Sequence, residues 1–156
     1  ELIWSTLTAK PEEASPPASV AETNVWERIR HLNRNERLML APKADRRELQ
    51  ALLQDQDAQV IFSLLKNPRI AVEDVLRIAR SPLLSAIAAD TIAKTKIWAA
   101  NASIRAALVN NPRTPTPLAL KILPTLAEPD IRQIAKATAV SQSLRQAALR
   151  IVVNRK

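Results

Sequence analysis

The chain has no glycine, no cysteine, no tyrosine, one histidine, and four aromatic residues: Trp4, Trp26, Trp98 and Phe62. Without glycine there is no phosphate-cradling loop, dinucleotide fingerprint or nucleophile elbow, because each needs backbone positions that only glycine fits. Without cysteine there is no disulfide, thiolate metal site or cysteine nucleophile. His31 alone excludes any site that needs two imidazoles. The shortage of aromatics argues against recognition of single strands by base stacking. No apolar run approaches the ~20 residues that span a bilayer, and no secretory signal is visible. The default expectation is a cytoplasmic protein.

What is present points to helices. Of 156 residues, 47% are hydrophobic, too many for a disordered chain. A chain of this length can bury roughly two-thirds of its unfolded surface. The net charge is +8, unevenly spread. Residues 1–22 hold Glu1, Glu12, Glu13 and Glu22 against Lys10, a net of −3, so the remainder carries +11. A basic body favours an anionic partner: nucleic acid, a membrane surface or an acidic protein.

Residues 1–9 contain Leu2, Ile3, Trp4 and Leu7 and read as an apolar docking segment. Residues 10–22 read as a Pro/Ala/Ser linker, and residues 23–156 as the folded domain. The periodicity predicts helices over 24–33, 35–41, 45–54, 57–66, 71–80, 83–94, 101–110, 117–126 with 128–137, and 141–153. Asn24 with Glu27 and Asp45 with Glu48 have capping-box spacing. Ser81-Pro82 and Thr116-Pro117 place a hydroxyl before a proline, as helix starts do. Short loops imply antiparallel neighbours.

Internal repetition narrows the fold. Residues 57–79 shifted by 44 positions onto 101–123 match Ala58, Leu64, Asn67, Pro68, Arg69, Leu76 and Ile78 to Ala102, Leu108, Asn111, Pro112, Arg113, Leu120 and Ile122. A weaker echo lies 26 residues upstream, where Pro42-Lys43 match Pro68-Arg69. The unit is helix, Asn-Pro-Arg turn, helix, and a period in the forties belongs to HEAT and armadillo-type repeats. The expected fold is all-α: a short right-handed α-solenoid of antiparallel helix pairs, with Leu64, Leu76, Leu108, Leu120 and Ile122 buried. The segments KNPRIAVEDVLRIARS and VNNPRTPTPLALKILPTL resemble bacterial HEAT-like, leucine-rich-repeat-variant proteins over residues 32–153. That resemblance implies the fold and no activity. Where such proteins carry a Gly-containing turn after the first helix, this chain has Ala41-Pro42-Lys43-Ala44.

Candidate chemistry is sparse. Glu73 and Asp74 point about 100° apart on a helix and suit its first turn, where acids complement the dipole. Asp90 and Trp98 resemble faintly the Asp-and-aromatic pocket of HEAT-like DNA glycosylases, but Trp98 reads as a packing anchor and His31 as a surface residue. No catalytic residue, metal site, cofactor or small-molecule substrate is expected. The anion- or partner-binding candidates are Lys43, Arg69 and Arg113, which occupy equivalent turns and should line one edge of a solenoid, with Arg77 and Lys121 in the helices that follow. The expected function is a non-enzymatic protein-interaction scaffold with a basic edge. The alternative is a nucleic-acid-binding module gripping the phosphate backbone.

Overall fold

The computed structural model describes residues 18–155, with burial defined from Asn24 to Arg155. Among the described residues there is no strand. The helices are α1 Ala18–Arg30, α2 Arg34–Leu40, α3 Arg46–Leu52, α4 Ala58–Leu64, α5 Val72–Arg80, α6 Ala86–Lys94, α7 Lys96–Ala99, α8 Ala102–Asn110, α9 Thr116–Ile122, α10 Glu128–Lys136 and α11 Gln142–Asn154. Tight 3-10 turns follow α2 at Ala41–Lys43 and α9 at Leu123–Thr125. Each contains a proline, which cannot supply the N–H that would continue the α-helical ladder.

Local capping explains most helix starts. Asp45 and Glu48 form the expected reciprocal box, and so do Asn33 and Glu36, which the sequence reading passed over. Asn24 is not a cap, because α1 begins at Ala18, inside the segment read as linker. Ser81 closes α5, and Ser85 caps α6 instead. Thr116 is the first residue of α9 with no side-chain cap, because Pro115 precedes it. The short helix α7 carries Trp98, which is half-buried against the core.

Several helices pack on helices that are not next to them in sequence. α1 packs on α3, α2 on α4, α5 on α8, and α9 on α11. Within these pairs, side chains near one C-terminus hold backbone carbonyls at the other: Asn67 beyond α4 reaches Ala41 beyond α2, and Asn111 beyond α8 reaches Ala79 in α5. Likewise Arg155 beyond α11 reaches Pro124 beyond α9. α3 also adjoins α5, through Arg46 and Gln50 to Asp74. One row of neighbours thus runs α1, α3, α5 and α8, and α10 shares a groove with α8.

The buried side chains gather in two clusters. The larger runs from Ile29 to Leu108, and the smaller joins Val109, Ala119, Leu123, Leu126, Ile131, Ile134, Leu144 and Ala148. Ile122 packs against both. Leu64 and Leu108 are buried as expected, whereas Leu76 and Ile122 are half-buried. Leu120 is a correction: it is 36% exposed, because α9 turns Ala119 and Leu123 into the core. Those two correspond to Val75 and Ala79 of α5, so the 44-residue register holds while one expected core residue faces outward.

Candidate interaction surface

The Asn-Pro-Arg turns have a structural job. Asn67 is 1% exposed and donates its amide to the carbonyls of Ala41 (2.9 Å) and Ala44 (2.8 Å), while its oxygen accepts the Arg69 N–H at 2.8 Å. Asn111, 8% exposed, repeats the arrangement with Ala79 (2.7 Å), Ser81 (2.9 Å) and the Arg113 N–H. Every polar atom of each amide serves carbonyls or an N–H that burial would otherwise leave unpaired. Asparagine is required because this geometry needs two donors and an acceptor on one short planar group.

The expected row of Lys43, Arg69 and Arg113 does not form. Lys43 and Arg69 do meet: the Arg69 guanidinium lies 3.5 Å from the Lys43 carbonyl. Arg69, however, sits just before the start of α5, and the Arg113 turn is tied to the end of α5. Nine helical residues, roughly 13 Å at 1.5 Å per residue, separate those two ends. The Asn67 turn, which leads into α5, binds the turn after α2, whereas the Asn111 turn binds the far end of α5, so the two equivalent turns sit at opposite ends of that helix. Pro42-Lys43 also belongs to a different class of turn, a 3-10 turn inside the span rather than an Asn-Pro-Arg turn.

Basic side chains gather instead where α3 meets α5 in the row. Arg46 pairs with Asp74 at 2.6 Å and donates to the Arg69 carbonyl at 3.1 Å. Gln50 donates to the other Asp74 oxygen, and Arg77 donates to Gln50 at 3.2 Å. Asp74 is buried, and burial alone would raise its pKa; hydrogen bonds from Arg46, the Ala71 N–H and Gln50 outweigh it and hold the carboxyl below its ordinary value. Asp74 thus has the first-turn role expected, and it also joins α3 to α5. Lys121 is exposed on α9, outside this row.

A concavity of about 620 Å³ lies over α8. Ala102, Ser103, Ala106, Ala107 and Asn110 form its floor, with Arg80 and Arg113 at one end and Asp130 and Gln133 of α10 along a wall. The floor is low because alanine at successive turns leaves space between the neighbouring helices. Neither Arg80 nor Arg113 has an acidic partner among the described residues. Arg113 was a candidate from sequence; Arg80, Asn110 and Gln133 were not, since only the packing of α5 and α10 against α8 brings them together.

Other candidates separate. Asp90 pairs with Lys94 one turn along its own helix, and His31 is exposed. Among the described residues no three His, Asp or Glu side chains gather to hold a metal, and no helix is long and apolar enough to cross a membrane. The docking segment Leu2, Ile3, Trp4 and Leu7 lies outside the described residues. No family model, curated protein or solved structure matches the chain.

Proposed function

We propose that the chain is a non-enzymatic protein-interaction scaffold: a short HEAT-like solenoid that holds an extended, acidic segment of a partner in the groove over α8. The observation that carries this reading is the pairing of two guanidinium groups without acidic partners, Arg80 and Arg113, with an open groove of about 620 Å³. Extended peptides present carboxylates and unpaired backbone groups together. Arginine suits the first through bidentate hydrogen bonding, and the Asn110 and Gln133 amides suit the second. The row of neighbouring helices supports a solenoid, since such arrays bury apolar faces only by stacking, and it fits the resemblance to bacterial HEAT-like repeat proteins.

The test uses three labelled probes in fluorescence anisotropy: a short Glu/Ser/Ala peptide, its Lys/Ser/Ala counterpart, and a DNA duplex of matched length. The acidic peptide should bind saturably, and Arg80→Glu with Arg113→Glu should weaken it about tenfold or more, the scale of a lost charge-assisted contact. Arg145→Glu with Arg150→Glu removes equal charge elsewhere and should leave binding nearly unchanged. Equal loss from both double variants reduces the effect to net charge. Tighter binding of the duplex, falling steeply with salt through counterion release, would replace this reading with nucleic-acid binding.

A further inference from the structure

A second groove lies at the other end of the same row. Val25 and Trp26 of α1 face Arg46, Arg47 and Gln50 of α3 across a cavity of about 340 Å³. Trp26 and Val25 are half-buried, and Arg47 is exposed with no acidic partner among the described residues. The groove combines an apolar wall with the unpaired cationic head of Arg47, and it lies between the first two helices of the row.

We propose that residues 1–9 of the same chain occupy this groove, with Trp4 entering the cavity. Three observations converge on that occupant. The segment holds four large apolar residues, Leu2, Ile3, Trp4 and Leu7, in an acidic stretch. Glu1, Glu12 and Glu13 against Lys10 give residues 1–17 a net charge of −2, complementary to Arg47, while Arg46 is engaged by Asp74. The segment also joins directly to α1: residues 8–17 span up to roughly 35 Å extended, while Trp26 lies roughly 12 Å along the helix from Ala18. A short tether gives the segment an effective concentration on the order of millimolar at this groove. The apolar face of α11, with Leu149 and Val153 exposed, is also flanked by arginines, but it has no such tether.

Fluorine NMR of the full chain labelled with fluorotryptophan tests the proposal, with Trp4→Phe assigning the Trp4 resonance and a labelled peptide of residues 1–17 marking its free position. The Trp4 resonance should be displaced from the free position by an amount independent of protein concentration. Arg47→Glu should return it to the free position and leave the Trp98 resonance, which reports the fold, in place. A wild-type Trp4 resonance at the free position overturns the proposal. So does a displacement that grows with concentration, which assigns the segment to a second copy, or one that survives the Arg47→Glu substitution, which assigns it to another surface.

Discussion

Asn67 shows how much one side chain can carry in a chain without glycine. The turn after α4 reverses direction with no positive-φ residue; none occurs among the described residues. Its geometry is held by a buried amide that reaches the turn after α2. Asn67→Ala removes three hydrogen bonds and leaves two buried carbonyls unpaired, so it should cost roughly 2–4 kcal/mol. Asn67→Asp should cost more at neutral pH, because a carboxylate would face two carbonyl oxygens. The buried, charge-repelled carboxyl has its folded pKa raised above the unfolded value of about 3.9. The ionisation penalty therefore applies above the folded value and is relieved as pH falls to the unfolded one. Denaturant melts of both variants across acid and neutral pH check this; equal costs for the two at every pH would contradict the amide's role as double donor. The dipeptide Asn-Pro was visible in the sequence as a helix stop, but its partners, 26 and 23 residues away, were not.

At the scale of helices, spacing predicted existence well and orientation less well. Leu108 is 1% exposed, so Leu108→Ala should cost roughly 2–5 kcal/mol. Leu120, its companion in the repeat, faces outward, and Leu120→Ala should cost under about 1 kcal/mol. Denaturant melts of the pair check the orientation of α9. Asp74 is the electrostatic tie between α3 and α5. Its carboxyl is held below the ordinary range, so its contribution is complete above the unfolded pKa of about 3.9 and is lost as pH falls through the lower folded value. Asp74→Asn should destabilise by roughly 1–3 kcal/mol at neutral pH, and the gap to wild type should close progressively below about pH 4. The equivalent residue in the second copy is Leu118, which packs against the core instead, so no such dependence arises there. That difference explains why the two copies share apolar positions but not their acids: packing constrains both, and the ion pair belongs to one.

For the whole molecule, the two buried clusters meet at Ile122. In a stacked array, stability is the sum of local units and their interfaces. Ile122→Ala should therefore cost roughly 2–4 kcal/mol and also uncouple the halves. Amide hydrogen exchange of the variant should show α10 and α11 opening at lower free energy than α3 to α5, whereas the wild type should open both together. Uniform loss of protection across the chain would show that Ile122 is an ordinary core residue. Local periodicity and capping determined that this chain is all-helical, where most helices begin and end, and which residues recur every 44 positions. Those features follow from interactions within a few residues of each position, so they are written in the sequence itself. The end of α5 that each Asn-Pro-Arg turn meets was decided by the fold, because it depends on carbonyls 23 to 32 residues away in the sequence. The groove over α8 was decided there too. Arg80, Asn110, Arg113 and Gln133 stand on different elements and become one surface only when α5 and α10 pack on either side of α8.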